Sequence, residues 1–301
     1  MLTIFSLPKS FSGIYKTIQE NAISSWHQLK PAPQVILLGD DDGTAEIAAK
    51  YKCLHIPQIK RNKAGTPLVN DLFGKAAQKA KFDRLLFVNS DIILDDKLFQ
   101  AIEKSDQLLI TRKLVDKGNP LQSLYISQRW NLKIEKTLNF NDPESFKQLK
   151  ENVKNLGELY APTALDIFIF PKHLYQNMPD FSIGWPGATY DNWMIWYAKS
   201  QNLPVVDLTE AVTIIHQEHP VRHLTSKLPP KKEAEKHINI SLAGGYGYCC
   251  DILDSDYKLT KNLDLSKAPL PKNFLFREIK RFIQRIRDYF RFKKYNLFNI
   301  F

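Results

Sequence analysis

One run near the end of the first third of the chain, Arg84–Asp96 (RLLFVNSDIILDD), limits the fold more than any other stretch. Leu85, Leu86, Phe87 and Val88 are apolar without alternation, and Asn89, Ser90 and Asp91 follow at once. An unbroken apolar run this short, closed by polar residues, suits a central parallel strand better than a helix. In open α/β sheets the ligand crevice lies outside the carboxyl ends of the strands, which is where this triplet falls. A polar triplet ending in aspartate can hold a divalent cation and, through it, a diphosphate. It can equally be a strand-to-helix turn capped by an Asx side chain. The stretch alone leaves both readings open.

The sequence around it reads as strand and helix in alternation. Leu2–Leu7 is a first strand, and Phe11, Tyr15, Ile18, Ala22, Trp26 and Leu29 then recur at helical spacing. Pro31 and Pro33 stop that helix before a second buried strand, Val35–Leu38. TAEIAAKY reads as a short helix and Cys53–Ile56 as a third strand. Thr66-Pro67 has the form of an N-cap and first helical residue, opening a helix that runs to Lys81. This pattern predicts an α/β fold: a doubly wound, mostly parallel sheet with helices on both faces. Further on, Leu108–Thr111, Leu165–Phe170, Val205–Leu208 and Val212–Ile215 read as strands. Residues 141–156 and 231–243 read as helices, as does the segment opened by Asp191.

The chain of 301 residues has a net charge of +10, but unevenly. Residues 272–301 hold nine Lys and Arg against two acidic residues, a local +7, leaving only +3 on the other 271. Nucleic-acid binding is therefore disfavoured. Within Phe274–Tyr295, Leu275, Ile279, Phe282, Ile283, Ile286, Tyr289 and Phe290 share one helical face and basic residues fill the rest. That pattern fits a helix lying on an anionic membrane surface, or a helix packed on the domain with its basic face in water. Residues 1–261 are read as the catalytic domain and 262–301 as a basic amphipathic C-terminal tail. No apolar run reaches the roughly 20 residues that span a bilayer. The start, MLTIFSLPKS, lacks the cationic opening of a signal peptide. Three cysteines, two of them adjacent, form neither a disulfide framework nor a zinc spacing. A cytoplasmic setting, peripheral to a membrane if the tail binds one, is the expectation.

Four places carry groups suited to chemistry. Asp40 and Asp42, at the end of the second strand, can accept hydrogen bonds from a base or ribose; Asp-Asp-Gly is also a plain turn, the more so for Asp41. Lys60–Lys63 is a basic loop, with Lys63 placed to meet a diphosphate or simply solvated. Asp91, helped by Asn89, offers hard oxygen ligands for Mg²⁺ or Mn²⁺. His216 and His219, three apart after a strand, can add a nitrogen ligand and favour Mn²⁺. Asp191 is the candidate catalytic base, or a helix cap. Trp185 and Trp193 are candidate sugar platforms, with core packing the plainer role for Trp193 and Trp196.

Taken in order, LLFVNSDIIL, QRWNLKI, LDIFIFP, GWPGATYDNWMIW and IIHQEHPVRH followed by LAGGYGY resemble the GT-A-fold glycosyltransferases. The likeness is to the broad family-2-like group of nucleotide-diphospho-sugar transferases, and it runs from Leu2 to Leu253. It implies a GT-A-like sheet and transfer of a hexosyl or related group from a nucleoside-diphosphate-sugar to a hydroxyl, on a glycan or lipid-linked acceptor. It also implies that Asn89-Ser90-Asp91 is the metal and diphosphate motif, that Asp191 lies on the acceptor side, and that His216 completes the metal site. One departure stands out: the motif opens with Asn89 rather than Asp, which lowers the expected metal affinity. Two competing classes stay open. A sugar-nucleotide nucleotidyltransferase would share the early sheet but wants a glycine-rich, arginine-bearing loop, which LPKSFSG supplies poorly. A non-catalytic membrane-surface protein would explain the tail and leave the polar strand ends idle.

Overall fold

The structure is a computed structural model that describes residues 1–116, 121–142, 144–183, 189–219 and 230–294. The first half runs β1 (Thr3–Ser6), α1 (Gly13–His27), β2 (Gln34–Leu38), α2 (Thr44–Lys50), β3 (Leu54–Ile56), α3 (Val69–Lys79) and β4 (Arg84–Val88). Then come β5 (Ile92–Ile93), α4 (Leu98–Thr111), β6 (Leu124–Ile126), β7 (Trp130–Leu132), α5 (Glu144–Leu156), β8 (Glu158–Leu159) and β9 (Ile167–Pro171). The chain continues with α6 (Tyr190–Ser200), β10 (Val205–Asp207), β11 (Ile215–Gln217), α7 (Pro230–Leu242), β12 (Tyr257–Leu259), β13 (Leu265–Lys267) and α8 (Phe274–Lys294). Single 3₁₀ turns at Tyr246–Tyr248 and Ile252–Asp254 lie between α7 and β12.

Nine strands form the main sheet in the order β13-β12-β10-β6-β9-β4-β1-β2-β3. The pairings β1–β2, β1–β4, β2–β3, β6–β10 and β10–β12 are parallel, while β9 runs antiparallel between β4 and β6 and β13 is an antiparallel edge. The predicted mostly parallel α/β sheet is thus what forms. β1, β4 and β9 are buried along their whole length, which is why their sequences do not alternate. Successive side chains go to opposite faces. Phe5, Leu85 and Phe87 pack with Leu72 and Phe73 of α3 and Met194 of α6, whereas Ile4, Leu86 and Val88 pack with Ala22 and Trp26 of α1 and Ile102 of α4.

A second sheet, β5-β11-β7-β8, stands at the end of the first and carries its own small core with α5. It begins with the apolar residues after the polar triplet. β11 pairs antiparallel with β5, setting His216 opposite Ile92. The Trp26 indole Nε1 donates to the Ile92 carbonyl at 2.9 Å and ties α1 to this corner.

Three local expectations are corrected. Leu108–Thr111 is the last turn of α4 rather than a strand, because Leu109 continues the stripe Leu98, Ala101, Ile102 and Ser105 that faces the sheet. Thr66-Pro67 does not open a helix: Pro67 and Leu68 form bridges with Arg61 and Ser182, Leu68 takes the cap position, and the Thr66 hydroxyl donates to Glu235 Oε1 at 2.5 Å. The strand expected over Val212–Ile215 is displaced to Ile215–Gln217. The boundary drawn after residue 261 falls between β12 and β13, which pair as a hairpin, so the main sheet extends to Lys267.

Candidate active site

A cavity of about 570 Å³ opens at the carboxyl ends of β1 and β4. Its walls are the loops after β1 (Leu7–Lys9), β2 (Asp41) and β4 (Asn89–Asp91), the Arg61–Pro67 loop, and Arg129 ahead of β7. Asp166 before β9 and Tyr190-Asp191 at the start of α6 complete them. Asp166 reaches this end because β9 runs against β4, so that the start of one strand meets the end of the other.

Asp91 stands at the centre. One ligand atom from each of Asp91, His216 and His219 lies within 4.8 Å of the others. His219 Nε2 is 3.1 Å and His216 Nε2 3.7 Å from Asp91 Oδ2. Burial pushes the Asp91 carboxyl up, but the His219 hydrogen bond and the neighbouring His216, His219 and Lys9 side chains outweigh it and hold it down at about 2. Burial lowers the pKa of His216, which favours the neutral ring that a cation needs. Asp91 Oδ1, His216 Nδ1 and His219 Nδ1 are buried without a hydrogen-bond partner. A carboxylate and two imidazoles set this close, each with a buried polar atom left unpartnered, fit a divalent cation that accepts both oxygen and nitrogen, Mn²⁺ more readily than Mg²⁺.

Buried amides hold this corner in place. Gln217 donates from its backbone N and from Nε2 to the Asp91 carbonyl, at 3.2 and 3.1 Å, and from Nε2 to the Ile18 carbonyl at 2.7 Å. Asn21 Nδ2 donates to Gln217 Oε1 at 3.0 Å. The Ser90 hydroxyl donates to Gln19 Oε1, whose amide also brackets the backbone of Lys9. The middle residue of the triplet is thus tied to α1.

Asn89 lines the cavity, but its Nδ2 donates to Asp166 Oδ1 at 2.6 Å. Arg129 Nη1 takes the other oxygen of Asp166 at 2.5 Å. Asp166, 77 residues further along the chain than Asn89, thus joins Asp41, Asp91 and Asp191 as a carboxylate lining the cavity. Asp191, which also lines the cavity, accepts from the Asn192 backbone N at 2.9 Å. Burial raises its carboxyl to about 6, with Asp166 repelling its charge and the Asn192 N–H partly offsetting both. The cap of α6 is Thr189, held at φ 65°, so Asp191 lies inside the first turn and is not the cap. A β-branched residue in the left-handed region is strained, and such strain collects at functional sites.

The other expected residues divide. Asp40 pairs with Arg61 at 3.0 Å on the surface, and it is Asp41 and Arg61 that line the cavity, not Asp40, Asp42 or Lys63. Lys63 is exposed. Its place is taken by Lys9, Arg61 and, from α7, Lys232, which donates to Thr66 Oγ1 and Glu235 Oε2 at 2.8 Å. Trp193 is buried and stacks on Tyr197 at 4.8 Å, a packing role. Trp185 lies outside the described residues. Sequence reasoning did not reach Asp166, Arg129, Lys9 or Lys232. Asp166 carried one signal: it is the charged residue at the mouth of an otherwise apolar strand.

Five parallel pairings, the antiparallel β9 and a crevice at the ends of β1 and β4 make this the GT-A glycosyltransferase fold. No family model and no curated protein matches the chain. Among solved structures it is similar to S. aureus TarS 1-349 in complex with UDP-GlcNAc. That match has a TM-score of 0.50 and 14% identity, over 87% of this chain and 69% of the other. TarS 1-349 without that ligand gives 0.50 and 12% identity, over 87% and 67%. Glucosyl-3-phosphoglycerate synthase from Mycobacterium tuberculosis, in complex with uridine-diphosphate, gives 0.46 and 15% identity over 90% and 88%. At these identities the likeness is one of fold.

Proposed function

We propose that this protein is a glycosyltransferase that moves a sugar from a nucleoside-diphosphate-sugar to a hydroxyl of a glycan or lipid-linked acceptor, working at a membrane surface. The observation that carries the reading is the cluster of Asp91, His216 and His219, whose Asp91 lines a cavity that is also lined by Asp191, a carboxylate with a raised pKa. TarS, with the same fold, binds UDP-GlcNAc, which supports a UDP-sugar as the donor class.

Asp91, His216 and His219 would hold the cation, Mn²⁺ or Mg²⁺, and when bound it supplies positive charge to the leaving diphosphate. Lys9 and Arg61, which also line the cavity, would add positive charge for the diphosphate. Asp41 is placed for the nucleoside. Asp191 takes the proton of the acceptor hydroxyl as its oxygen bonds to the anomeric carbon, and the carbon–oxygen bond to the diphosphate breaks with its electron pair leaving on the diphosphate. A carboxyl at about 6 is mostly ionised at neutral pH yet more basic than a solvated aspartate. Attack from the face opposite the leaving group inverts the anomeric centre. Arg129 and Asn89 hold Asp166 in place, and its charge helps to keep the Asp191 pKa up.

The test is release of nucleoside diphosphate from a panel of UDP- and GDP-sugars with Mn²⁺, with and without simple glycoside acceptors. Turnover of one donor that rises with acceptor supports the reading. Absence of binding and of turnover for every donor contradicts it.

A further inference from the structure

α8 is docked by its polar side. Arg277 Nη2 donates to Asp251 Oδ1 and Asp254 Oδ2, both at 2.9 Å. Arg281 grips Asp254 and Glu278. Arg285 Nε donates to the Gly247 carbonyl at 2.9 Å, and its guanidinium lies 4.9 Å over the Tyr248 ring. Asp288 is buried one turn later. The approach is close: a Cβ at Gly247 would come within 2.5 Å of Arg285 Cγ.

The opposite face points outward. Leu275, Ile279, Phe282, Ile286 and Tyr289 recur every three or four residues with Phe276, Ile283 and Phe290 beside them, and all are 43–74% exposed. Eight contiguous large apolar side chains exceed the scatter normal for a surface. The helix cannot roll to hide them without breaking the arginine pairs. Among the described residues, no helix is long and apolar enough to cross a membrane.

We infer that α8 seats the protein on an anionic membrane surface, with its apolar stripe at the headgroup–acyl boundary and its arginine stripe fixing the domain above. Charge selects this occupant. At 3.6 residues per turn, the exposed Lys280 and Arg287 run along one border of the stripe, and exposed Lys272 precedes it. A second copy facing this stripe would bring like charges together; anionic headgroups would neutralise them. The footing also reaches the catalytic helix. Cys250, beside the arginine-binding Asp251, exchanges hydrogen bonds with Asn192, its N donating to the Asn192 carbonyl at 3.0 Å and its carbonyl accepting from Asn192 Nδ2 at 2.8 Å. Asn192 follows Asp191 directly. On the transfer reading given above, this makes a lipid-borne hydroxyl the acceptor class.

The test uses the full chain without nucleotide, so its outcome does not depend on transfer. Sedimentation is measured with phosphatidylcholine vesicles with and without phosphatidylglycerol, at low and high salt. The wild type sediments with the anionic vesicles and is released by salt. The double variant Phe282→Asp/Ile286→Asp loses at least ~10-fold in binding at an unchanged melting temperature. Wild type that stays in the supernatant, or equal sedimentation of the double variant, overturns the inference. So does a wild-type dimer in light scattering that the double variant abolishes, which would assign the face to a second copy.

Discussion

Asn89 stands where an aspartate is the expected opening of a cation motif, and its neighbours give a physical reason. An amide can donate to Asp166; a carboxylate at 2.6 Å from Asp166 would repel it. Asn89→Asp is therefore expected to destabilise the fold by about 1–3 kcal/mol at neutral pH, with the loss shrinking in acid as one carboxyl protonates. Urea melts at two pH values check this, and an unchanged midpoint would show that the amide is not needed. Asp191 supplies a second test. Its carboxyl, raised by burial to about 6, is protonated below that pH. Transfer should therefore fall as pH drops through 6, and Asp191→Asn should lose that limb together with ~10²–10⁴-fold in kcat. The stability sign is opposite. A raised folded pKa means that ionisation opposes folding above it, so the Asn variant should melt no lower than wild type at pH 7. Loss of stability with near-normal kcat would return Asp191 to a structural role.

At the scale of elements, α8 shows what sequence reads and what it leaves out. Its two faces were legible from spacing, but the docked side was not. Burial of the apolar stripe is the ordinary expectation, and here Asp251 and Asp254, themselves held in a capping box at the 3₁₀ turn, draw the arginines inward instead. Asp254 is pushed up by burial and pulled down further by Arg281, the Asp251 N–H and Arg277, so its carboxyl titrates below its ordinary range. A Cβ at Gly245 would collide with the Asp288 carboxylate, and φ there is +105°. Gly245→Ala should accordingly lift α8 and speed proteolysis of the C-terminal segment, leaving the central strands protected in hydrogen exchange. Unaltered cleavage would mean that the close approach is not needed. Leu108–Thr111 failed for a different reason: three apolar residues and a threonine carry too little period to separate a strand from the end of a helix.

Across the whole molecule, the strand–helix alternation through β4 was readable because each buried strand and each amphipathic helix declares itself locally. Asp91 and the His216–His219 spacing were readable too. What joins them was not: the β5–β11 pairing spans over 120 residues, and Gln217, between the two histidines, turns inward to lock Asp91's backbone. Asp166 entered the site through the antiparallel β9, whose direction no local pattern reveals, and Arg129, ahead of β7 in the second sheet, through its pairing with Asp166. The central claim is that these distant pieces form one cation-dependent donor site. Calorimetric titration of a UDP-sugar into the folded wild type, with and without Mn²⁺, and into Asp91→Ala tests it most directly. The account predicts binding by wild type that needs the cation and is lost in Asp91→Ala at an unchanged fold; equal, cation-dependent binding by folded Asp91→Ala would contradict it.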